Sequence, residues 1–201
     1  MKLLIVTDLH YWSDEEYQLT KDLYDYDICF LLGDILYRDL LKLKTIIHSP
    51  LYGLNGNHNF NDIEAAGIDS IHGKVINYNG LTFSGFQGSL RYKNGDYNMY
   101  SHKESIEICR NIPGADIFLT HDTLWDGLNN SHSGLQGINE YITLHKPKLH
   151  IHGHLHINNI STINHKKFSL FRKEPIKETV SIAVYKAAII DTDTLEVNIL
   201  Y

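Results

Sequence analysis

Short apolar segments alternate with segments of helical periodicity in the N-terminal part of the chain. The apolar segments predict strands at residues 2–7, 27–32 and 51–54. Leu40, Leu43 and Ile47 recur at helical spacing and predict a helix over residues 39–48. Ser13 is a candidate N-cap for a further helix over residues 14–25. Strands that alternate with helices are typical of an α/β sheet whose strands are at least partly parallel.

The rest of the chain is richer in strand-like segments. Asn79-Gly80 is a favoured tight-turn pair and predicts a hairpin between residues 75–77 and 81–86. Further strands are predicted at residues 116–120, 149–152, 159–163, 167–171, 179–185, 187–190 and 195–200, with a turn over 191–194. Helices are predicted over residues 102–111 and 135–145. The pattern indicates two sheets packed on each other with helices on their outer faces.

The composition is that of a globular protein. The chain has 201 residues, which is enough for a core of its own, and we predict a single domain over residues 1–201. Its 18 Lys and Arg against 24 Asp and Glu give a net charge of -6. This charge argues against a protein that holds long nucleic acid by neutralising phosphates, but it is compatible with a small anionic substrate held through metal.

The cysteines and the N-terminal segment indicate the cellular compartment of the protein. Cys29 and Cys109 form no disulfide framework or metal-binding pair, so we expect two buried thiols in a reducing environment. The apolar run that follows Met1 is too short for a signal peptide and leads at once to Asp8. No apolar run is long enough to span a membrane, and we therefore expect a cytoplasmic protein.

Several predicted strands end in residues that can bind metal ions. These endings are Asp8-Leu9-His10, Gly33-Asp34, Gly56-Asn57-His58, His121-Asp122 and Gly153-His154-Leu155-His156. Ligands of open α/β sheets bind beyond the carboxyl ends of the strands, so we expect these residues to meet at one edge. Side chains two positions apart lie on the same side of an extended backbone and can face one site. A glycine beside a ligand permits a sharp turn and a close approach to an ion or phosphate.

The candidate ligands supply carboxylate, amide and imidazole groups but no thiolate. They are Asp8, His10, Asp34, Asn57, His121, His154 and His156. This donor set suits manganese, iron, zinc, nickel or cobalt better than calcium or a structural zinc. The set is too large for one ion and suits two ions that share a bridging carboxylate. Each motif alone also occurs in ordinary turns, caps and loops, and the ordered combination after apolar strands is what indicates a metal site.

In this order, the motifs resemble those of the calcineurin-like metallophosphoesterases over residues 4–156. The resemblance implies an α/β fold, a four-layer α/β/β/α sandwich of two packed mixed sheets with flanking helices, and the strand-rich tail fits its second sheet. It implies that one ion is held by Asp8, His10, Asp34 and His156. It implies that the other is held by Asp34, Asn57, His121 and His154, with Asp34 as the bridge. His58 would then lie beside the scissile phosphate as a general acid.

The chain also departs from the family pattern. Asn59 stands where the family often has an acidic residue, and Tyr37 stands where the protein phosphatase branch has a second Asp. Arg38 matches the position of that branch's phosphate-contacting arginine and is a candidate substrate-binding residue. Arg91 lies in a segment that resembles a loop of small bacterial members, and it either reaches the substrate or forms a surface salt bridge. His132 either approaches the site or serves in packing.

The resemblance implies a phosphoesterase that uses two divalent metal ions. A metal-bridging hydroxide would attack a phosphodiester or a phosphomonoester, and we favour the diester slightly. The chain leaves little room for a cap domain, so we expect an open cleft and a small phosphoester substrate. The alternative is a non-catalytic binding or scaffold module on the same fold. Such a module should have lost ligands or the histidine of Gly-Asn-His, whereas both are present here. The sequence makes no prediction of oligomeric state.

Overall fold

The computed structural model describes residues 1–9, 25–94, 97–128, 130–164 and 178–200. Its strands form two six-stranded sheets and one two-stranded sheet. Three sequence predictions fall outside these residues: the cap Ser13, the helix over residues 14–25 apart from its last position, and the strand over residues 167–171.

The elements follow the predicted order. The first strands are β1 (Lys2–Thr7), β2 (Ile28–Leu31), β3 (Leu51–Gly53), β4 (Asp69–Ser70), β5 (Val75–Tyr78), β6 (Leu81–Phe86), β7 (Ser89–Leu90) and β8 (Met99–Tyr100). They are followed by β9 (Ile117–Thr120), β10 (Leu149–His152), β11 (Asn159–Asn164), β12 (Glu178–Ala183), β13 (Lys186–Asp191) and β14 (Val197–Ile199). The helices are α1 (Tyr37–Ile46), α2 (Asp62–Ala65), α3 (His102–Asn111) and α4 (Gln136–His145). The pattern did not predict α2, β4, β7 and β8, because such short elements show no periodicity.

The predicted hairpin turn is present in the structure, and a capping box that was not predicted begins α3. Asn79 and Gly80 both have positive φ, 48° and 82°, as a two-residue hairpin turn between β5 and β6 requires. Ser101 begins α3 with a capping box, because its side chain accepts from the Glu104 N–H while the Glu104 carboxylate accepts from the Ser101 N–H. No helix in the described ranges is long and apolar enough to cross a membrane.

Each large sheet combines a block of four parallel strands with antiparallel strands beside it. The first sheet has the order β14-β13-β1-β2-β3-β4, in which β1 to β4 are parallel. The second has the order β11-β12-β10-β9-β6-β5, in which the four central strands are parallel. Parallel neighbours bring their carboxyl ends to the same edge, which is where the candidate ligands follow β1, β2, β3, β9 and β10.

The C-terminal strands divide between the two sheets, which corrects the expectation that the tail completes the second sheet. β11 and β12 join the second sheet, but β13 runs antiparallel along the whole of β1 in the first. The reason is the open edge of β1, whose main-chain groups would otherwise lie unpaired beside a buried strand. β13 covers that edge with the apolar segment from Ala187 to Ile190, which is buried.

Successive side chains of β1 point to opposite faces of the first sheet, and this alternation separates the layers of the sandwich. Leu3 and Ile5 belong to a cluster between the two sheets, whereas Leu4 and Val6 pack on the other face against Leu40 of α1. A third cluster lies between the second sheet and helices α3 and α4, and it includes Phe118, Cys109 and Ile138. The predicted α/β/β/α sandwich is therefore confirmed. Cys29 and Cys109 are both buried and unpaired, as expected.

Candidate metal centre

Three of the candidate ligands form a buried group where the two sheets meet. Asp34 follows β2 of the first sheet, and His121 and His154 follow β9 and β10 of the second. One ligand atom from each lies within 4.8 Å of the other two. The Nε2 atom of His121 is 3.4 Å from Oδ2 of Asp34 and 3.1 Å from Oδ1 of Asn57, which follows β3. The predicted meeting of strand ends is present at these four positions.

Main-chain carbonyls fix the tautomers of both histidines in this group. Nδ1 of His121 donates to the Leu32 carbonyl at 2.7 Å, and this leaves Nε2 facing Asp34 and Asn57. Nε2 of His154 donates to the Ser131 carbonyl at 2.8 Å and leaves Nδ1 free to bind an ion. A carbonyl can only accept, so each ring nitrogen that contacts one must carry the proton. Sequence reasoning missed both carbonyls, because any residue type can provide one.

The donor set fits a metal ion. The Asp34 carboxylate, Oδ1 of Asn57 and the Nε2 lone pair of a neutral His121 face one another as acceptors, and a cation or a proton between them would satisfy all three. Burial lowers the pKa of His121, but the charge of Asp34 and a hydrogen bond to it raise that pKa to about 9. A proton can therefore take this position in metal-free protein. Asp8 adds a buried Oδ1 that has no hydrogen-bond partner among the described residues.

The backbone at the ligand positions is held in an unusual conformation. Asp8, Asp34, His154 and His156 have φ angles of 50°, 51°, 65° and 54°. The left-handed region costs a non-glycine residue about 1–3 kcal/mol and persists where the surrounding structure enforces it. Residues in this region cluster at functional sites, and here four such residues are candidate ligands. This signal is independent of the motifs from which the ligands were predicted.

The glycines beside the ligands are required by close packing. A Cβ atom at Gly56 would lie 2.0 Å from Oδ1 of Asp34, and one at Gly153 would lie 2.1 Å from Oγ1 of Thr7. Neither distance leaves room for a methyl group. These glycines are therefore needed for packing between the loops, and their close approach to an ion or phosphate stays a prediction.

Asp8 and His156 lie on the other side of the group. Oδ2 of Asp8 accepts hydrogen bonds from the Thr7 hydroxyl at 2.7 Å and from the His154 N–H at 2.8 Å. Oδ1 of Asp8 is 3.5 Å from Nε2 of His156. The contact with the Asp8 carboxylate raises the pKa of His156, and this effect outweighs that of partial burial. His10, the remaining predicted ligand on this side, lies outside the described residues.

His58 is placed differently from the buried ligands. Its backbone N–H donates to Oδ1 of Asp34 at 2.9 Å, while its ring Nε2 is 3.9 Å from Oδ2 of the same residue. The side chain is 54% exposed. His58 thus borders the group from the solvent side.

Asn59 joins the two loops that carry Asp34 and His58. Its Oδ1 accepts from the N–H of Asp34 at 2.8 Å and from that of Gly56 at 3.2 Å. Its Nδ2 donates to the Ile35 carbonyl at 2.9 Å. An acidic residue in this position could accept but not donate, so the departure from the family pattern gives Asn59 both functions. Sequence reasoning noted the departure but did not predict this role.

The two arginines predicted to bind substrate differ in their surroundings. The Arg38 side chain is 69% exposed, with Nε 3.5 Å from Oδ1 of Asp39. Nη2 of Arg91 donates to the Met99 carbonyl at 2.9 Å and lies 3.2 Å from Oε2 of Glu104. The surface salt bridge that was the alternative for Arg91 is therefore present, and a substrate contact by either arginine stays a prediction.

The other histidines of the run 150–156 belong to the core. His150 is buried, with Nε2 2.9 Å from the Thr120 hydroxyl and Nδ1 3.0 Å from the Ser181 hydroxyl. Burial, assisted by the charge of His152, lowers the pKa of His150 well below its usual value. Burial also lowers the pKa of His152 to about 4. Both rings are therefore neutral structural groups near neutral pH.

The structure is thus a two-sheet α/β sandwich with a candidate metal-binding cluster of Asp and His at its strand ends. A family model described as the calcineurin-like phosphoesterase superfamily domain matches residues 1–171, and the chain belongs to this superfamily. The resemblance inferred from the motifs is thereby confirmed. The superfamily is metal-dependent, in agreement with the cluster of Asp34, His121 and His154. No curated protein matches the chain by sequence.

Solved structures share the fold at low sequence identity. A novel archaeal phosphodiesterase is 12% identical with a TM-score of 0.55, and the alignment covers 98% of each chain. Phosphopantetheinyl hydrolase from Mycobacterium tuberculosis is 14% identical with a TM-score of 0.55, over 92% of this chain and 89% of that one. The calcineurin-like phosphoesterase YfkN from Bacillus subtilis is 12% identical with a TM-score of 0.51, over 100% and 88%. These similarities establish the architecture.

Proposed function

We propose that the protein is a phosphoesterase that hydrolyses small phosphodiesters or phosphomonoesters with two divalent metal ions bound. The observation that carries the proposal is the convergence of Asp34, His121 and His154, all buried, within 4.8 Å. Buried acceptors that face one another need a cation or a proton between them, and a divalent metal ion meets this need. Membership of a metal-dependent phosphoesterase superfamily supports the same function.

The proposed ligands divide into two sets that share Asp34. Asp34, Asn57, His121 and His154 hold one ion, and Asp8, His10, Asp34 and His156 hold the other. The position of Asp34 supports the shared role, because its Oδ2 faces His121 and its carboxyl group also lies near enough to Asp8 for the two charges to interact. Manganese, iron, zinc, nickel or cobalt would suit these donors.

When bound, such ions polarise phosphate oxygens and supply an acidified water as the nucleophile. His58 acts as the general acid that protonates the leaving oxygen, a step typically worth about 10²–10⁴-fold in rate. The hydrogen bond from the His58 N–H to Asp34 holds its loop against the proposed ligands, while the ring is exposed to solvent. Arg38, which is mostly exposed, is the proposed contact to phosphate oxygens.

The proposed substrate is a small phosphoester rather than long nucleic acid. The net charge of -6 opposes binding to an extended polyanion. We place the diester slightly ahead of the monoester. The two buried thiols, Cys29 and Cys109, support a reducing compartment, and the proposed location is the cytoplasm.

The decisive experiment is reconstitution of chelator-treated protein with each candidate metal, followed by assays with bis-p-nitrophenyl phosphate and p-nitrophenyl phosphate. We expect no turnover without metal and restored turnover with at least one divalent ion, faster for the diester. His58→Ala, loaded in the same way, is the control for adventitious metal-catalysed hydrolysis. If wild-type protein binds metal but hydrolyses neither substrate above the His58→Ala background, the non-catalytic binding module is the correct alternative.

A further inference from the structure

A tight turn over residues 130–133 adjoins the metal centre between β9 and α4. The Asn130 N–H donates to the Ser133 hydroxyl at 2.8 Å, and the Ser133 N–H donates to the Asn130 carbonyl at 3.2 Å. The His132 N–H donates to Oδ1 of Asn130 at 2.9 Å. Ser133 is fully buried and its carbonyl accepts from the Asp126 N–H at 2.9 Å. The backbone that carries His132 is thus fixed by several hydrogen bonds.

The same turn contacts the candidate ligands in two ways. The Ser131 carbonyl accepts from Nε2 of His154 and thereby fixes the tautomer of that ligand. The ring of His132 lies with its centroid 4.9 Å from that of His154 and 6.3 Å from that of His156. His154 and His156 are the proposed ligands of the two different ions. The His132 ring therefore borders both halves of the centre.

The ring of His132 is exposed to solvent, whereas the ring of His150 is buried and hydrogen-bonded. No described residue forms a hydrogen bond with its side-chain nitrogens, whereas both nitrogens of His150 contact buried hydroxyl groups. A ring needed only for packing would be expected to lie inside the fold. His132 instead presents an imidazole with its polar atoms open to solvent, on a fixed turn beside the ligands.

We propose that His132 is a substrate-binding residue, which donates a hydrogen bond to a phosphoryl oxygen of the phosphoester bound at the metal centre. The proposal rests on the proposed function of that site. An imidazole carries at least one N–H whether it is neutral or protonated, so the contact does not depend on its protonation state. The rigid turn lowers the entropy that the ring loses when it binds, which favours this role over that of a long flexible side chain.

The test compares His132→Ala, His132→Gln and the control His48→Ala in metal-loaded protein. Gln retains an N–H donor near the position of the imidazole nitrogen, and His48 is an exposed histidine near the opposite end of β3 from the site. The measurements are the KM and kcat for bis-p-nitrophenyl phosphate, the Kd of inorganic phosphate by calorimetry, the bound metal by mass spectrometry, and the Tm.

We expect His132→Ala to raise both KM and the phosphate Kd by about tenfold, with metal content and Tm unchanged. His132→Gln should recover most of the affinity, and His48→Ala should match wild type. Unchanged phosphate affinity in His132→Ala would overturn the proposal, as would a loss of metal or a fall in Tm that accounts for the weaker binding.

The phosphate measurement separates this proposal from the proposed function. If wild-type protein binds phosphate with metal present but hydrolyses no ester, the proposed function fails while the role of His132 is still decided by the variants. If wild-type protein neither binds phosphate nor hydrolyses an ester when metal is bound, both proposals are wrong.

Discussion

The carboxylate of Asp8 accepts a hydrogen bond of 2.8 Å from the backbone N–H of His154, and this bond joins the end of β1 in one sheet to the end of β10 in the other. The Leu32 carbonyl and Nδ1 of His121 make a second such connection at 2.7 Å. The centre is therefore built across the contact between the sheets. Its geometry depends on how the sheets pack as well as on each loop.

Asp34→Asn should reduce metal binding at both proposed sites. The substitution keeps the shape of the side chain but removes the charge that faces His121 and that the proposed metal ions would share. We expect bound metal, measured by mass spectrometry after dialysis, to fall together with activity, which should drop by at least about 100-fold. Asp69→Asn, on the exposed edge strand β4, is the matched control. A fully metal-loaded, active Asp34→Asn variant would exclude the bridging role.

Gly56→Ala should disturb the same carboxylate by sterics alone. The added methyl group would lie 2.0 Å from Oδ1 of Asp34 and 2.5 Å from its amide nitrogen, so the loop must shift. We expect weaker metal binding and a loss of about 1–3 kcal/mol in the free energy of unfolding, measured with urea. Gly80→Asn is the control for backbone strain alone, because an added Cβ there meets nothing within 4 Å although the φ angle is 82°. Equal metal affinity in Gly56→Ala would show that the loop has room to adjust.

His58→Ala should separate catalysis from metal binding. The exposed ring is not part of the buried ligand group, so the variant should retain its metal. Loss of a general acid should lower kcat by about 10²–10⁴-fold. The check is kcat together with metal content, with His48→Ala carried in parallel. If metal is lost from His58→Ala, then His58 is a ligand and the assignment of roles is wrong.

Arg38→Ala and Arg91→Ala should have different effects. Arg38 is mostly exposed, and its removal should raise the KM for a phosphoester without changing stability. Arg91 forms a partly exposed ion pair with Glu104, and such pairs contribute about 0–1 kcal/mol to stability. We expect Arg91→Ala to lower the free energy of unfolding within that range and to leave KM unchanged. A raised KM in Arg91→Ala would instead support the substrate contact predicted from the sequence.

The buried histidines His150 and His152 should make the metal-free protein less stable in mild acid. Burial lowers both pKa values, that of His152 to about 4, whereas an unfolded histidine titrates near about 6.5. Below about pH 6.5 the unfolded state binds protons that the folded state does not, so stability falls as pH falls. Each group contributes about 1.4 kcal/mol per pH unit in this range.

His150→Gln tests this linkage. The variant should be less stable than wild type near neutral pH, because the hydrogen bonds to Thr120 and Ser181 are impaired. The difference should shrink as pH falls toward about 5, since the contribution of His150 to the pH dependence is gone. Urea unfolding of both proteins with chelator present gives the comparison. Parallel pH profiles would show that His150 is protonated in the folded protein and would refute the proposed burial effect.

Much of the architecture could be predicted because local patterns determine it. β1, β10 and α3 have the predicted bounds, since a buried parallel strand appears as an apolar run and α3 begins with a capping box. The division of the tail between the sheets could not be predicted in this way. Pairing of β13 with β1 depends on which strand edge is open, and that is a property of the assembled sheet.

The candidate site could also be predicted only in part from the sequence. Asp34, His121 and His154 were predicted from strand ends, and the structure brings them together. The carbonyls of Leu32 and Ser131, which fix the histidine tautomers, have no side-chain signature. Asn59 has a side chain suited to its bridging role, but only the folded loops show which main-chain groups it contacts. The role of His10 stays a prediction.

The pairing of β13 with β1 also has a consequence for the order of events during synthesis. Residues 186–191 lie alongside the strand that leads to Asp8, yet they are translated after every proposed metal ligand. A ribosome-bound chain can therefore expose all of these ligands while β1 still has an unpaired edge. We expect the nascent chain to form the proposed metal centre only after β13 has emerged and closed the first sheet.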